Sequence, residues 1–137
     1  MSVSGYSLTP LAKKLGFKPG IRIRLINEPE YYWSLFNDLP LNLIITSDPE
    51  HKKDCIHFFT KKASELYKVL PMLPEDLKPE GMIWVSWPKK AAKIITDITE
   101  TTIRDFALRI GLVDIKVCAV NDTWSGLKLV IPLINRK

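Results

Sequence analysis

The stretch Val113-Asp114-Ile115-Lys116-Val117-Cys118-Ala119-Val120, then Asn121-Asp122-Thr123-Trp124-Ser125-Gly126, then Leu127-Lys128-Leu129-Val130-Ile131-Pro132-Leu133-Ile134 decides how the fold is read. Residues 113–120 and 127–134 are apolar, strand-like runs separated by six mostly turn-forming residues, which predicts an antiparallel hairpin. Pro132 cannot donate to a ladder, so the end of the second strand should leave the sheet. Just upstream, Asp97-Ile98-Thr99-Glu100 has the spacing of a capping box, and Ile103, Phe106, Ala107 and Ile110 recur at i, i+3, i+4, i+7. That pattern predicts an amphipathic helix, which Gly111 ends.

Working outward, residues 82–87 read as a strand preceded by a Pro79-Glu80-Gly81 turn. Residues 61–70 read as a helix with Ala63, Leu66, Tyr67 and Leu70 on one face, closed by Pro71 and Pro74. Residues 41–46 and 54–59 are short apolar runs, each consistent with a buried strand. Residues 21–26 form a strand with Ile21, Ile23 and Leu25 on one face and Arg22 and Arg24 on the other. Asn27-Glu28-Pro29 then opens a helix to about residue 36. A short helix at the start has Thr9 as its cap, Pro10 in its first turn and Gly16 at its end, followed by a Lys18-Pro19-Gly20 turn. Strands alternating with helices imply right-handed crossovers and parallel pairing. The expected fold class is therefore α/β: one domain, residues 1–137, with a small Rossmann-like sheet, mostly parallel, ending in an antiparallel hairpin, with flanking helices. The crossovers should gather Asn27-Glu28, Ser47-Asp48, Thr60-Lys61, residues 86–90 and residues 121–125 along one edge.

Composition sets outer bounds. The 137 residues are 46% hydrophobic and 26% charged, with a net charge of +5, ordinary for a globular protein able to bury a core without disulfides or a structural metal. The mild positive charge permits an anionic partner without demanding one, and the lysines and arginines are spread along the chain, which reads as a solubilising surface. Cys55 and Cys118 sit in apolar runs, as small core residues do. The first twenty residues lack a long apolar segment and no run is long enough to span a bilayer, so a cytoplasmic protein with no membrane partner is expected.

Two tryptophan-bearing segments stand where strands meet loops, the usual place for α/β sites. In one, Ser86-Trp87-Pro88-Lys89-Lys90, two ammonium groups flank an indole and a hydroxyl, a combination suited to an anion or a flat ring. Its plain reading is a core tryptophan (Trp84), a strand-ending proline and solvated lysines. In the other, Asn121, Asp122, Thr123 and Trp124 offer hydrogen bonds and a second ring. Asn, Asp, Ser and Gly also explain themselves as turn formers, but a turn does not need a tryptophan. With Asn27 and Glu28 these make the expected ligand-binding set: Asn27, Glu28, Ser86, Trp87, Lys89, Lys90, Asn121, Asp122, Thr123 and Trp124. Asp97 and Glu100 have acid–base spacing that a capping box explains. Cys55 and His57 share a strand face and read either as a nucleophile with its base, as metal ligands, or as core packing, which mid-strand placement favours. His51 reads as a surface residue. Tyr31, Tyr32 and Trp33 cannot all face one side of a helix, so at least one is exposed or packs on another segment. No catalytic residue and no metal site is assigned.

The chain order resembles a shortened S-adenosylmethionine-dependent methyltransferase domain. The resemblance rests on Lys18-Pro19-Gly20 before the first strand, Pro79-Glu80-Gly81 before a middle strand, and the glycine-ended helix leading to a terminal antiparallel pair over residues 97–131. It implies a cofactor loop at Asn27-Glu28-Pro29-Glu30, which here carries no glycine, and a ribose-binding acid at Asp48; no cofactor is assigned. The chain also resembles a bacterial domain family of unknown function in Gly5-Tyr6-Ser7, residues 9–16, residues 84–90 and residues 111–128. Three readings of function follow. The favoured one is non-catalytic binding of a small anionic ligand or protein segment at the carboxyl edge. The others are a degenerate methyltransferase and a nucleic-acid binder stacking on Trp87 with Lys89 and Lys90 on phosphates.

Overall fold

The computed structural model describes residues 9–136; Gly5-Tyr6-Ser7 lies outside them. Six strands form one sheet in the order β2-β1-β3-β4-β6-β5. They are β1 (Arg22–Ile26), β2 (Ile44–Ile45), β3 (Lys53–Phe59), β4 (Leu77–Pro88), β5 (Val113–Ala119) and β6 (Trp124–Val130). The pairs β2–β1, β1–β3 and β3–β4 are parallel, while β6 runs antiparallel to both β4 and β5. The mostly parallel α/β sheet with its terminal hairpin is thus as expected.

Period-two alternation along the central strands builds two cores. Ile56, Phe58, Ile83, Val85 and Trp87 face α2 (Ala63–Val69) and α3 (Glu100–Arg109), where Leu66, Ile103 and Ala107 meet them. Cys55, Met82 and Trp84 face the other way, onto α1 (Leu11–Leu15) and Phe17. Trp84 is fully buried and its Nε1 donates to the Leu15 carbonyl oxygen at 2.9 Å, so a central strand holds the end of α1. Gly16, at φ 82°, ends that helix in the left-handed conformation that favours glycine.

Local chemistry explains where elements differ from expectation. The run 41–46 pairs only through Ile44–Ile45, and both are nearly half exposed, because β2 is a sheet edge with a single neighbour. The helix expected to reach residue 36 is a single 3-10 turn, Tyr32–Leu35. Tyr32 turns inward onto Phe36 and Phe59 while Tyr31 and Trp33 stay about 40% exposed. Pro79-Glu80-Gly81 is not a turn. It lies inside β4, where the β3–β4 register jumps from Lys53↔Leu77 to Cys55↔Met82. A Cβ on Gly81 would sit 2.9 Å from the Asp54 carbonyl oxygen, so this irregularity requires glycine. The hairpin loop is four residues, 120–123, because Trp124 and Ser125 already pair with β4 and β5. Pro10, not Thr9, is the N-cap of α1.

Caps are also redistributed. Thr99 Oγ1 accepts from Thr102 N, and Thr102 Oγ1 accepts from Thr99 N, forming the box at α3. Asp97 instead accepts from Ala63 N at 2.7 Å, at the start of α2, and Glu100 pairs with Arg104. Thr99→Ala should therefore lower stability by about 1 kcal/mol, read as a shifted urea midpoint, with Glu100→Ala costing less.

Candidate functional site

The carboxyl ends of β1, β3 and β4 and the start of β6 lie along one edge. Thr60 N donates to the Ser86 carbonyl oxygen at 3.0 Å, and Lys89 N donates to the Thr123 carbonyl oxygen at 2.7 Å. Pro88 and Trp124 are register partners, so the two tryptophan segments meet. Ser47-Asp48 does not join them. Two-residue β2 pairs with the beginning of β1, and the Asp48 carbonyl oxygen accepts from Lys53 Nζ (2.6 Å) at the opening of β3.

The expected ligand-binding residues do not share one cleft. Ser86 is fully buried and Trp87 is 7% exposed within the core under α3. Their strand is central and covered on both faces, so successive side chains enter the two layers: Ser86 is closed off, while Trp87 also lines a cleft at the strand's end. Lys89 and Lys90 line that cleft, of about 470 Å³, together with Trp87, Thr96, Thr99 and Glu100. Asn27 and Trp124 line a different cleft, of about 420 Å³, between the end of β3 and the start of α2. Asn121 Oδ1 accepts from both Thr123 N and Trp124 N, fixing the hairpin loop, while Asp122 and Glu28 are exposed.

In the cleft of Asn27, Trp124 is 7% exposed, packs edge-on to Phe59 and donates Nε1 to the Tyr31 hydroxyl at 3.0 Å. Asn27 has φ 58°, a left-handed conformation that asparagine tolerates better than most residues. Its Nδ2 donates to the Phe59 carbonyl oxygen and to Glu65 Oε2, both at 3.2 Å. Thr60 Oγ1 donates to Glu65 Oε1 at 2.6 Å. Both oxygens of that carboxylate are therefore held, and they latch the loop after β1 to α2. Lys61 and Lys62 are exposed at the cleft's rim. Thr60 and Lys61 were legible from their place after a strand; Glu65, inside a helix pattern, gave no signal.

Beneath the edge runs a buried polar chain. The Tyr32 hydroxyl lies 2.9 Å from His57 Nδ1, and His57 Nε2 lies 2.8 Å from Ser86 Oγ. Burial pushes the imidazole down to about 3, so it is neutral, and burial likewise pushes the Tyr32 phenol up, keeping it protonated. A neutral ring has one donor and one acceptor nitrogen, and the two hydroxyls rotate to match either tautomer. The order hydroxyl–imidazole–hydroxyl is that of an activated nucleophile, but all three side chains are at most 1% exposed. The chain is a satisfied core network, and His57 with Cys55 is core packing. Gly126 opposes Ser86 in the ladder; a Cβ there would come within 3.2 Å of Trp84 Cε3 and 3.4 Å of Ser86 Oγ. Among the described residues, no group of three or more His, Cys, Asp or Glu is arranged to hold a metal, and no helix is long and apolar enough to cross a membrane.

No family model matches the chain and no curated protein matches its sequence. Solved structures do match. A ribosomal protein L11 methylase from Lactobacillus delbrueckii subsp. bulgaricus superposes with a TM-score of 0.57 at 10% identity, covering 88% of this chain and 74% of that one. The fold is methyltransferase-like. A glycopeptide N-methyltransferase, MtfA, solved with sinefungin, gives a TM-score of 0.54 at 11% identity over 88% of this chain and 90% of its own. In this methyltransferase-like domain the loop after β1, the cofactor loop implied by the sequence resemblance, carries the Asn27–Glu65 latch instead of glycines. Asp48, the acid that resemblance implies for a ribose, sits near the opposite end of β3.

Proposed function

We propose that this methyltransferase-like domain binds a small anionic ligand, without reacting with it, in the cleft between the loop after β1 and the start of α2. The observation that carries this reading is the composition of the cleft. Pro29, Phe59 and Trp124 supply apolar wall, Lys61 and Lys62 supply positive charge at the rim, and the nearby acid, Glu65, is already bonded on both oxygens. A volume of about 420 Å³ suits a small molecule. A flat, phosphorylated compound would stack on the wall and place its anion between the lysines. Titration with adenosine 5′-monophosphate, read by tryptophan fluorescence, tests it. Lys61→Ala with Lys62→Ala should weaken binding at least about tenfold. Equal affinity in the folded double variant, or no binding at millimolar concentration, would end the proposal.

The second reading is S-adenosylmethionine-dependent methyl transfer. It is supported by the methyltransferase neighbours, one of them solved with sinefungin, and by the cleft's position at the end of β1. Sinefungin in the same titration separates the two. Tight binding insensitive to Lys61 and Lys62 but lost in Asn27→Ala would favour methyl transfer over simple anion binding.

A further inference from the structure

The lysines that are scattered in sequence are gathered by the fold. Lys116 and Lys128 are register partners on neighbouring antiparallel strands, so their side chains stand side by side on the sheet face that carries α1. Like charges directly opposed across a ladder destabilise a sheet. Lys14 of α1 reaches the same hairpin, its Nζ donating to the Ala119 carbonyl oxygen at 3.1 Å. Lys18, just past that helix, shares a cleft with Lys128. Half-buried Lys89 continues the row at the carboxyl edge. The groups feel one another: burial and then Lys116 push Lys128 down, and burial and then Lys14 push Lys89 down. Among the described residues no carboxylate forms an ion pair with Lys14, Lys18, Lys116 or Lys128. Asp54, in the same cleft, is taken by Lys78 and by Arg22 N, while exposed Glu80 lies on its rim.

We propose that this face of the β5–β6 hairpin, with Lys14, Lys18, Lys116 and Lys128, binds the phosphodiester backbone of a nucleic acid. Folding gains nothing from opposed lysines, so their grouping is explained by an extended polyanion that neutralises them. The Lys116–Lys128 pair lies three ladder positions from Ala119, whose carbonyl oxygen Lys14 reaches, which at about 3.3 Å per residue makes a row about 10 Å long. That length matches several successive phosphates rather than one isolated anion. A lipid surface fits less well, because helices that enter a bilayer interface present a whole apolar face, whereas the large exposed apolar side chain beside Lys18 and Lys128 is Ile115 alone among the described residues. The site is separate from the cleft of Lys61 and Lys62, so the two proposals fail independently.

Fluorescence anisotropy with labelled oligouridine and duplex DNA of about 20 units tests it. Neutralising about four phosphates gives a plot of log affinity against log salt with slope near −3. Lys116→Gln with Lys128→Gln should weaken binding at least about tenfold and bring the slope to about −1.5. The same double variant should keep or raise the urea midpoint, since it removes a repulsion, so lost binding is not lost folding. No binding at low salt, an unchanged slope in the double variant, or preferential capture by phosphatidylserine vesicles would overturn the proposal.

Discussion

Urea unfolding of this domain is expected to become steadily easier as the pH falls from 6.5 toward 3, and His57 is the largest identifiable reason. Its imidazole is completely buried and its pKa is pushed down from 6.5 to about 3 by desolvation. Between those values the unfolded chain binds a proton that the folded chain refuses, so stability rises with pH across the window. The contribution is complete above 6.5 and is lost progressively as the pH falls through the window. At about 1.4 kcal/mol per pH unit it amounts to about 5 kcal/mol, comparable with the whole stability of a marginal domain. His57→Gln is neutral at every pH in this range and keeps hydrogen-bonding groups near Tyr32 and Ser86. It should lower stability at neutral pH yet flatten the profile by about 1.4 kcal/mol per unit between about pH 4 and 6. Parallel profiles for parent and variant would show that His57 is not the group that titrates.

The same histidine shows why the fold was more legible than the site. Strand positions 54–59 and 82–87 announce themselves through apolar content, and the two runs around residues 121–126 can only pair antiparallel. Burial of both faces of a central strand is a property of the assembled sheet. Ser86 looked like an edge group because a tryptophan, a proline and two lysines follow it, yet β4 turns it into the buried layer opposite Trp87. Ser86 is polar because a histidine from β3 needs a partner there. Asn27 and Trp124, nearly a hundred positions apart, share a cleft, whereas Lys89, adjacent to the buried strand end, lines another. The lysine spacing likewise reads as dispersed until the register sets Lys116 against Lys128. Pairwise registers of this kind leave no mark in a one-dimensional pattern.

Asp76→Ala should be the most damaging change away from the two cores, at about 3–5 kcal/mol. Lys53 has no exposed side-chain surface, and its ammonium rests on Asp76 Oδ1 at 2.7 Å and on the Asp48 carbonyl oxygen at 2.6 Å. Removing the carboxylate leaves a buried charge facing the neutral Asp48 carbonyl oxygen, which is far more costly than losing the pair outright. Lys53→Met in the same background removes that charge and should recover most of the loss. Arg24→Ala, which takes only the partly exposed partner from Asp76 Oδ2, should cost no more than about 1 kcal/mol. The Lys53 contact also holds Asp48 at the opening of β3, away from the cleft of Asn27 and Trp124. Hydrogen exchange over residues 46–52 should therefore quicken in Asp76→Ala, since a displaced Lys53 releases the Asp48 carbonyl. A loss below about 1 kcal/mol, or no recovery with Lys53→Met, would mean that water rather than Asp76 satisfies the ammonium.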